Sequence, residues 1–417
     1  MSALVLFLAL LFAYSLVSRK LEGTVVTAPM LFAGAGFLFT ESIPALDGDR
    51  ALPVLLTVAE VGLVLLLFAD ASRVDLKLLR SIRNLPVRLL STGMLLTIAL
   101  GAAAAKLLFP QLSVWEAGIL AAILAPTDAG LGQIIVNSPK VPPRVRQALN
   151  VEAGLNDGLS VPFLLFFMAL STGGGARLLP FVVEQLGYGA LVGLAIGGGG
   201  GWLLAVATRR GFMADASRQI GVVALPLACV LASNAVGASM FIAAFVAGLA
   251  VQVPYPDAGR HSVEFTEEWG QVLNSAVFFL FGLLVAGAWR RFDARVVVYA
   301  VSSLTVVRML PVAIALAGTR LRRATVVFMG WFGPRGLASI VLGLVYLEEV
   351  GQADVAPAVR LAVMMTVLLS IFAHGLSAAP GIGLYARSVA GMPPDAPERR
   401  DQNEKVTPAT GPVVRTS

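Results

Sequence analysis

Three kinds of residue are scarce in this sequence of 417 residues. Cysteine occurs once, as Cys229, which excludes an intramolecular disulfide and any cysteine-based metal cluster. Histidine occurs twice, as His261 and His374, which argues against a histidine-ligated transition-metal centre. Charged residues make up only 13%, against roughly 25% in a typical soluble domain. Apolar residues fill the gap at 57%, with a mean hydropathy of +0.82. Apolar stretches of ~20 residues recur along nearly the whole chain, the length that crosses a bilayer core of about 30 Å. The chain reads as an all-α polytopic membrane protein, one integrated bundle with no string of soluble domains.

The net charge of +6 and a pI near 9.8 could suggest a nucleic-acid partner. The basic residues collect between apolar segments, however, so membrane topology explains them better. The first segment lacks a positive leader region and an A-x-A cleavage site and reads as a retained span. No cofactor is expected, since the "GGGGG" run at 197–201 lies inside an apolar span and lacks the Lys-Ser/Thr of a phosphate cradle. Close helix packing accounts for it better.

About thirteen spans are predicted, near 2–18, 24–40, 51–69, 86–109, 114–137, 145–170, 178–207, 218–235, 238–253, 269–288, 296–317, 324–347 and 358–385. The split around Gly237 rests on the least sequence. A membrane domain over 1–388 is followed by a polar, Pro-rich, non-periodic stretch over 389–417 that predicts a disordered tail. Loops after odd-numbered spans hold Arg19, Lys20, Arg73, Lys77, Arg80, Arg83, Arg88, Lys140, Arg144, Arg146, Arg209, Arg210, Arg218, Arg260, Arg320, Arg322 and Arg323. Those after even-numbered spans hold only Arg50, Lys106, Arg177, Arg290, Arg291, Arg295 and Arg360. The excess places the odd loops in the cytoplasm, the N-terminus outside and the C-terminus inside the cell's inner (plasma) membrane.

Ionisable side chains at membrane depth cost at least ~2.5–3.5 kcal/mol each and therefore face a wet cavity or a partner. The set is small: Glu60, Asp128, Glu152, Asp157, Glu184, Arg308 and Arg335. Acids outnumber bases, the balance expected of a site for protons or cations. Pro126 and Pro334 sit inside the fifth and twelfth spans, with Gly130 downstream of the first and Gly333 and Gly336 around the second. Proline removes a backbone N–H and clashes with the preceding turn. Interrupted helices at matching positions of two halves point to the binding site of an inverted-repeat transporter. Glu152 and Asn156 are four residues apart and share a helix face. Asp157 lies about 100° round from Asn156, in reach of an unwound Thr127–Asp128 on the neighbouring helix. Such a nest of oxygens suits a hard monovalent cation, and desolvation beside a second carboxylate disfavours a bare charge on Asp157. Asp157 can then hold a proton or a metal ion, not both, and that competition is sufficient for exchange.

Three motifs resemble the monovalent cation:proton antiporter family, in its bacterial sodium/proton exchanger (NhaP-type) branch: "APTDAGLGQ" (125–133), "VRQALNVEAGLNDGLSVPF" (145–163) and "GWFGPRGLASIVLGLVYL" (330–347). With span order, the similarity covers roughly 1–388. The resemblance implies a homodimer whose dimerisation domain flanks a mobile core with two crossed, interrupted helices. It implies that Asp157 carries the ion and the proton, and that Asn156 occupies the position marking electroneutral exchange. Thr127 and Asp128 would be the unwound pair, with Asp128 contributing to coordination of the transported alkali cation. Glu152 would pair with an arginine of the second half, Arg335 being favoured over Arg308. Ala153 stands where relatives often have Ser, removing a hydroxyl ligand, and Ala129 where many have Pro.

Other polar residues get plainer expectations. Glu60 reads as a paired carboxylate in helix packing and Glu184 as interfacial. His374 reads as a hydrogen-bonding residue at a helix end, and Asn234 and Asn274 as packing glue. The expected function is secondary antiport of Na⁺, Li⁺ or K⁺ against H⁺, not an enzyme activity. A channel or uniporter would need a continuous lined pore, and an intramembrane aspartyl enzyme would use Asp128 and Asp157 as a dyad.

Overall fold

A computed structural model describes residues 3–21, 24–40, 48–74, 85–171, 180–181, 183–259, 263–350, 356–393 and 396–399. Lys77, Arg80, Arg83, Arg177, Arg260 and His261 lie outside the described residues, as does 400–417 of the expected tail. The regular elements among the described residues are all helices, with no strand. We number the helices α1 (Ala3–Leu21), α2 (Ala28–Leu38), α3 (Gly48–Arg73), α4 (Pro86–Leu108), α5a (Val114–Ile123) and α5b (Ala129–Val136). There follow α6 (Pro143–Ser171), α7 (Val183–Arg209), α8 (Asp215–Val236), α9 (Met240–Val251) and α10 (Glu264–Ala288). The last are α11a (Ala294–Leu304), α11b (Val306–Ala315), α12a (Arg323–Trp331), α12b (Leu337–Val350) and α13 (Pro357–Val389). Helix occupies every segment where a span was expected. Eight stretches of the described residues are long and apolar enough to cross a membrane, and shorter apolar helices include α2, α5a and α9.

Local chemistry sets the boundaries. Gly237 closes α8 in the left-handed region (φ 65°), where a side chain would be strained, and the Ala238 N–H returns to Ser233 O at 2.9 Å. Ser239 then caps α9 by accepting from the Ile242 N–H, so the expected split at Gly237 is real. Ser113 and Glu116 cap the start of α5a reciprocally. One difference appears in the eleventh span, expected as continuous helix and found broken at Thr305. There the Thr305 hydroxyl bonds back to Val301 O (2.7 Å) and Pro311 supplies no N–H downstream, two features that bend helices.

The helices form two groups. α10 packs on α2 and α3, and α9 packs on α3, α7 and α8. α5a packs on α4 and α6, α11a on α13, and α11b on α4 and α12a. α5 and α12, the penultimate helices of the α1–α6 and α8–α13 series, are each interrupted. Within the first group Gly197 presses on α9: a methyl there would strike the Ala247 backbone. Gly200 and Gly201 likewise press on Leu225 and on Val251, whereas Gly198 and Gly199 face open space, so part of the run is the packing surface expected. At the end of α13, Met392 and Ala396 are buried. Glu398, also buried, accepts from the Arg322 N–H (2.8 Å) and Thr325 Oγ1 (3.1 Å) at the start of α12a.

Candidate functional site

Proline 126 and proline 334 end α5a and α12a inside the protein, leaving two unwound stretches, 124–128 and 332–336, that cross each other. The crossing is direct: the Asp128 N–H donates to Pro334 O at 2.7 Å. Backbone groups freed at this depth must find partners inside the protein, and buried side chains supply them. Asp128 accepts from the Leu131 N–H with Oδ1 (2.9 Å) and from the Leu337 N–H with Oδ2 (2.7 Å). One carboxylate thus caps the N-termini of both α5b and α12b, where helix dipoles favour negative charge. Arg335, fully buried, donates through Nη1 to Ala125 O and to Pro126 O (2.9 Å), placing positive charge at the C-terminal end of α5a. Its own N–H donates to Ser370 Oγ (2.6 Å). His374 Nε2 lies 2.9 Å from Trp331 O at the end of α12a, with Nδ1 3.1 Å from Ser370 Oγ. Nδ1 also lies 3.0 Å from Ser370 O, so each ring nitrogen faces a backbone carbonyl. His374 therefore hydrogen-bonds at a helix end, as expected.

Glycines let these charges approach. A methyl at Gly336 would collide with the Asp128 carboxylate, and one at Gly333 with the Arg308 guanidinium. The "GPRG" of the third motif is thus a proline break flanked by two close contacts.

On α6, Asn156 Nδ2 donates to Thr127 Oγ1 (2.6 Å), so Asn156 holds the unwound stretch of α5 in place. Glu152, one turn earlier, forms an ion pair with Arg308 of α11b, Nη1 to Oε1 at 2.6 Å, both side chains buried. This corrects the expectation that favoured Arg335. The reason is the break at Thr305, which starts α11b just before Arg308, while Arg335 is committed to carbonyls of α5. Asp157 is half-buried, its Oδ1 is buried without a hydrogen-bond partner, and no basic side chain among the described residues pairs with it. Its charged neighbours are Asp128 and Asp70, both acids. A cavity of about 20 Å³, room for one water, is lined by Thr127, Asp128, Glu152, Ala153, Phe332 and Pro334.

Sequence reasoning missed Asp70. The third span was expected to end at 69, which left Asp70 in a loop, but α3 continues to Arg73. Gly154 of α6 comes so close that a β-carbon there would lie 3.4 Å from Asp70 Cβ. Its charge reaches Asp128 and Asp157. The available signal was its membership of a continuous helical run through "LLLFADASR". Glu60 is half-buried and engaged, Glu184 and Asn234 are exposed, and Asn274 is half-buried.

Two interrupted helices crossing beside an uncommitted carboxylate define a secondary-transporter architecture. The chain belongs to the sodium/hydrogen exchanger transmembrane family, whose sequence profile matches residues 5–380, and it is accordingly a multi-pass membrane protein. It is 28% identical over 369 residues to the Na(+)/H(+) antiporter NhaP of Pseudomonas aeruginosa, covering 79% of this chain and 80% of that one. It is 27% identical over 291 residues to a Na(+)/H(+) antiporter of Schizosaccharomyces pombe, covering 63% and 59%. Against the K(+)/H(+) antiporter NhaP2 of Shewanella oneidensis it is 29% identical over 178 residues, covering 41% and 30%. The matched region thus spans 59% of the S. pombe relative and 30% of the Shewanella one. The fold resembles the solved structure of the sodium proton antiporter MjNhaP1 from Methanocaldococcus jannaschii, with TM-score 0.74, 19% identity, and coverage of 89% and 98%.

Proposed function

We propose that this protein exchanges a monovalent cation for a proton across the membrane by competition at Asp157. One observation carries the reading. Asp157 Oδ1 is buried without a partner, while nearby charges are engaged: Arg308 with Glu152, Arg335 with carbonyls, Asp128 with two helix ends. A carboxylate so placed is stabilised either by a proton or by a cation. Na⁺ is the default substrate on the naming of the relatives, with Li⁺ and K⁺ as competitors for the same oxygens. Thr127 and Asp70 offer further oxygens, and Asp128 contributes through whatever acceptor capacity its two caps leave.

Exchange is electroneutral in this reading. Asn156 cannot titrate and is engaged by Thr127, so one proton leaves Asp157 for each monovalent cation that enters. The dyad of an aspartyl enzyme is disfavoured, because both Asp128 oxygens accept backbone N–H groups. Alternating access moves the α4–α6 and α11–α13 group against α1–α3 and α7–α10. The proposal includes thirteen spans and an N-terminus outside and C-terminus inside the plasma membrane; the expected boundary at 388/389 falls inside α13, and Met392, Ala396 and Glu398 beyond it are buried. It also includes a homodimer, for which the apolar outer stripe of α1 (Leu4, Leu8, Phe12, Leu16) is an available face.

The test is cation-driven proton flux in proteoliposomes, read by fluorescence dequenching with each alkali cation. Wild type should respond, and Asp157→Asn should be silent while eluting as a folded species. Retained cation-dependent flux in Asp157→Asn defeats the assignment.

A further inference from the structure

The seam between the two helix groups carries an amide that the antiport reading leaves unused. Asn274 lies on α10, in the group built around α2 and α3. Its Oδ1 is buried without a hydrogen-bond partner, a state that buried polar atoms rarely occupy unless water or a ligand serves them. Across the seam lies Gly130, in the first turn of α5b and exposed. The position of a methyl on Gly130 is 3.1 Å from Asp128 Oδ1 and 3.7 Å from Asn274 Nδ2. The carboxylate of one group and the amide of the other thus converge on the same small space. Because residue 130 is glycine, that space holds no side chain. The amide can turn about its Cβ–Cγ bond and present its oxygen there.

We infer that Asn274 is a cation-contacting residue contributed by the opposite helix group: its amide oxygen replaces one water of the alkali cation as the ion passes Gly130 toward Asp157. Hard monovalent cations take neutral carbonyl oxygens readily, and an amide adds no charge that would compete with Asp157 for the proton. Because α10 belongs to the group across the seam, this ligand is available in one orientation of the core and withdrawn in the other. Asn274 therefore tunes the affinity of one side of the cycle and not the chemistry at Asp157. The inference rests on the antiport reading.

The experiment measures cation dependence of proton flux in proteoliposomes for wild type, Asn274→Leu and Asn274→Asp, with Asp157→Asn as the silent control. Asn274→Leu should raise the half-saturating cation concentration about tenfold or more, the loss expected for one contact to a charged partner. Its maximal rate should stay within about twofold, the split expected when a binding contact alone is removed. Asn274→Asp, with a charged oxygen in the same place, should lower the half-saturating concentration. A purely packing role for Asn274 would change yield and thermal midpoint without moving the half-saturating concentration, and that result overturns the inference. If Asn274→Leu fails to fold, Asn274→Ala decides by the same readout, an unchanged value overturning the inference. Failure of the wild type itself to exchange cations for protons sinks the antiport reading, a different outcome from a working exchanger indifferent to residue 274.

Discussion

Breaking the Glu152–Arg308 pair probes how the core is held together beneath Asp157. The pair joins α6 to α11b at 2.6 Å, with side chains only 3% and 4% exposed. Arg308 also lies against Gly333 at the α12 break, so three helices meet at one guanidinium. Glu152→Leu removes the carboxylate and leaves a buried cation without a counter-charge, and removing one partner of a buried pair costs ~3–5 kcal/mol. Arg308→Met should cost a similar amount by stranding Glu152, whose Oε2 has no other acceptor-satisfying contact. Replacing both by apolar residues of similar volume removes the stranded charge, and such replacements are often neutral. Glu152→Leu with Arg308→Met should therefore be clearly more stable than the sum of the singles. With singles of ~3–5 kcal/mol each and a near-neutral double, the coupling should exceed about 3 kcal/mol, beyond the usual range for directly contacting residues.

The assay is denaturation in mixed micelles for the four members of the cycle, read by far-UV circular dichroism and tryptophan fluorescence. An additive cycle refutes the reasoning. So does a cycle in which Arg335→Met couples to Glu152 more strongly than Arg308→Met does. Since Asn156 and Asp157 follow Glu152 by one turn on α6, the single variants should also lose transport, and the double variant should regain stability before it regains rate.

Two further outcomes follow from contacts at the helix ends. Gly336→Ala forces the Asp128 carboxylate away from the Leu337 N–H. It should destabilise by about 2–4 kcal/mol through overpacking and a lost buried hydrogen bond. Gly343→Ala on the same α12b meets Val363 Cγ1 at 3.4 Å and Ile123 Cγ2 at 4.0 Å, ordinary contacts, and should be tolerated, thermal midpoints of the two variants giving the comparison. Glu398→Ala removes the acceptor of the Arg322 N–H and Thr325 hydroxyl. It should cost about 1 kcal/mol, as loss of an N-terminal cap does, and accelerate hydrogen exchange at the start of α12a, whereas Glu398→Gln, which keeps an oxygen, should not.

How far the site was legible in the sequence depends on which physical question each residue answers. Charges inside apolar runs are conspicuous because the bilayer penalises them everywhere, so Asp128, Glu152, Asp157, Arg308 and Arg335 could be singled out without any fold. Proline breaks are equally local, and the two unwound stretches fell at Pro126 and Pro334 as expected. Partner choice is not local. Arg308 and Arg335 both belong to the second half, and the resemblance that paired Glu152 with one of them favoured Arg335. The deciding feature was the break at Thr305, and a hydroxyl bonding back by one turn leaves no mark in hydropathy. Asp70 was lost for the opposite reason: hydropathy ends a span where the apolar run ends, but the backbone of α3 continues until its hydrogen bonds run out at Arg73.

Asp128 is the most instructive residue, because the same composition serves two chemistries. An acid at the start of a half-helix can accept backbone N–H groups or bind a cation, and both uses want oxygen at the positive end of a dipole. The sequence pattern alone does not separate them. Geometry does: with Oδ1 on α5b and Oδ2 on α12b, the carboxylate ties together the two helix ends whose meeting creates the site. Loss of its charge would then loosen the crossing before it weakened cation binding, whereas loss of charge at Asp157, which caps nothing, should leave the crossing intact and stop exchange. Asp128→Asn and Asp157→Asn are both isosteric, so a fall in thermal midpoint confined to the first and a loss of flux in the second at wild-type stability would separate the two roles. Equal thermal midpoints would mean that the capping bonds do not hold the crossing.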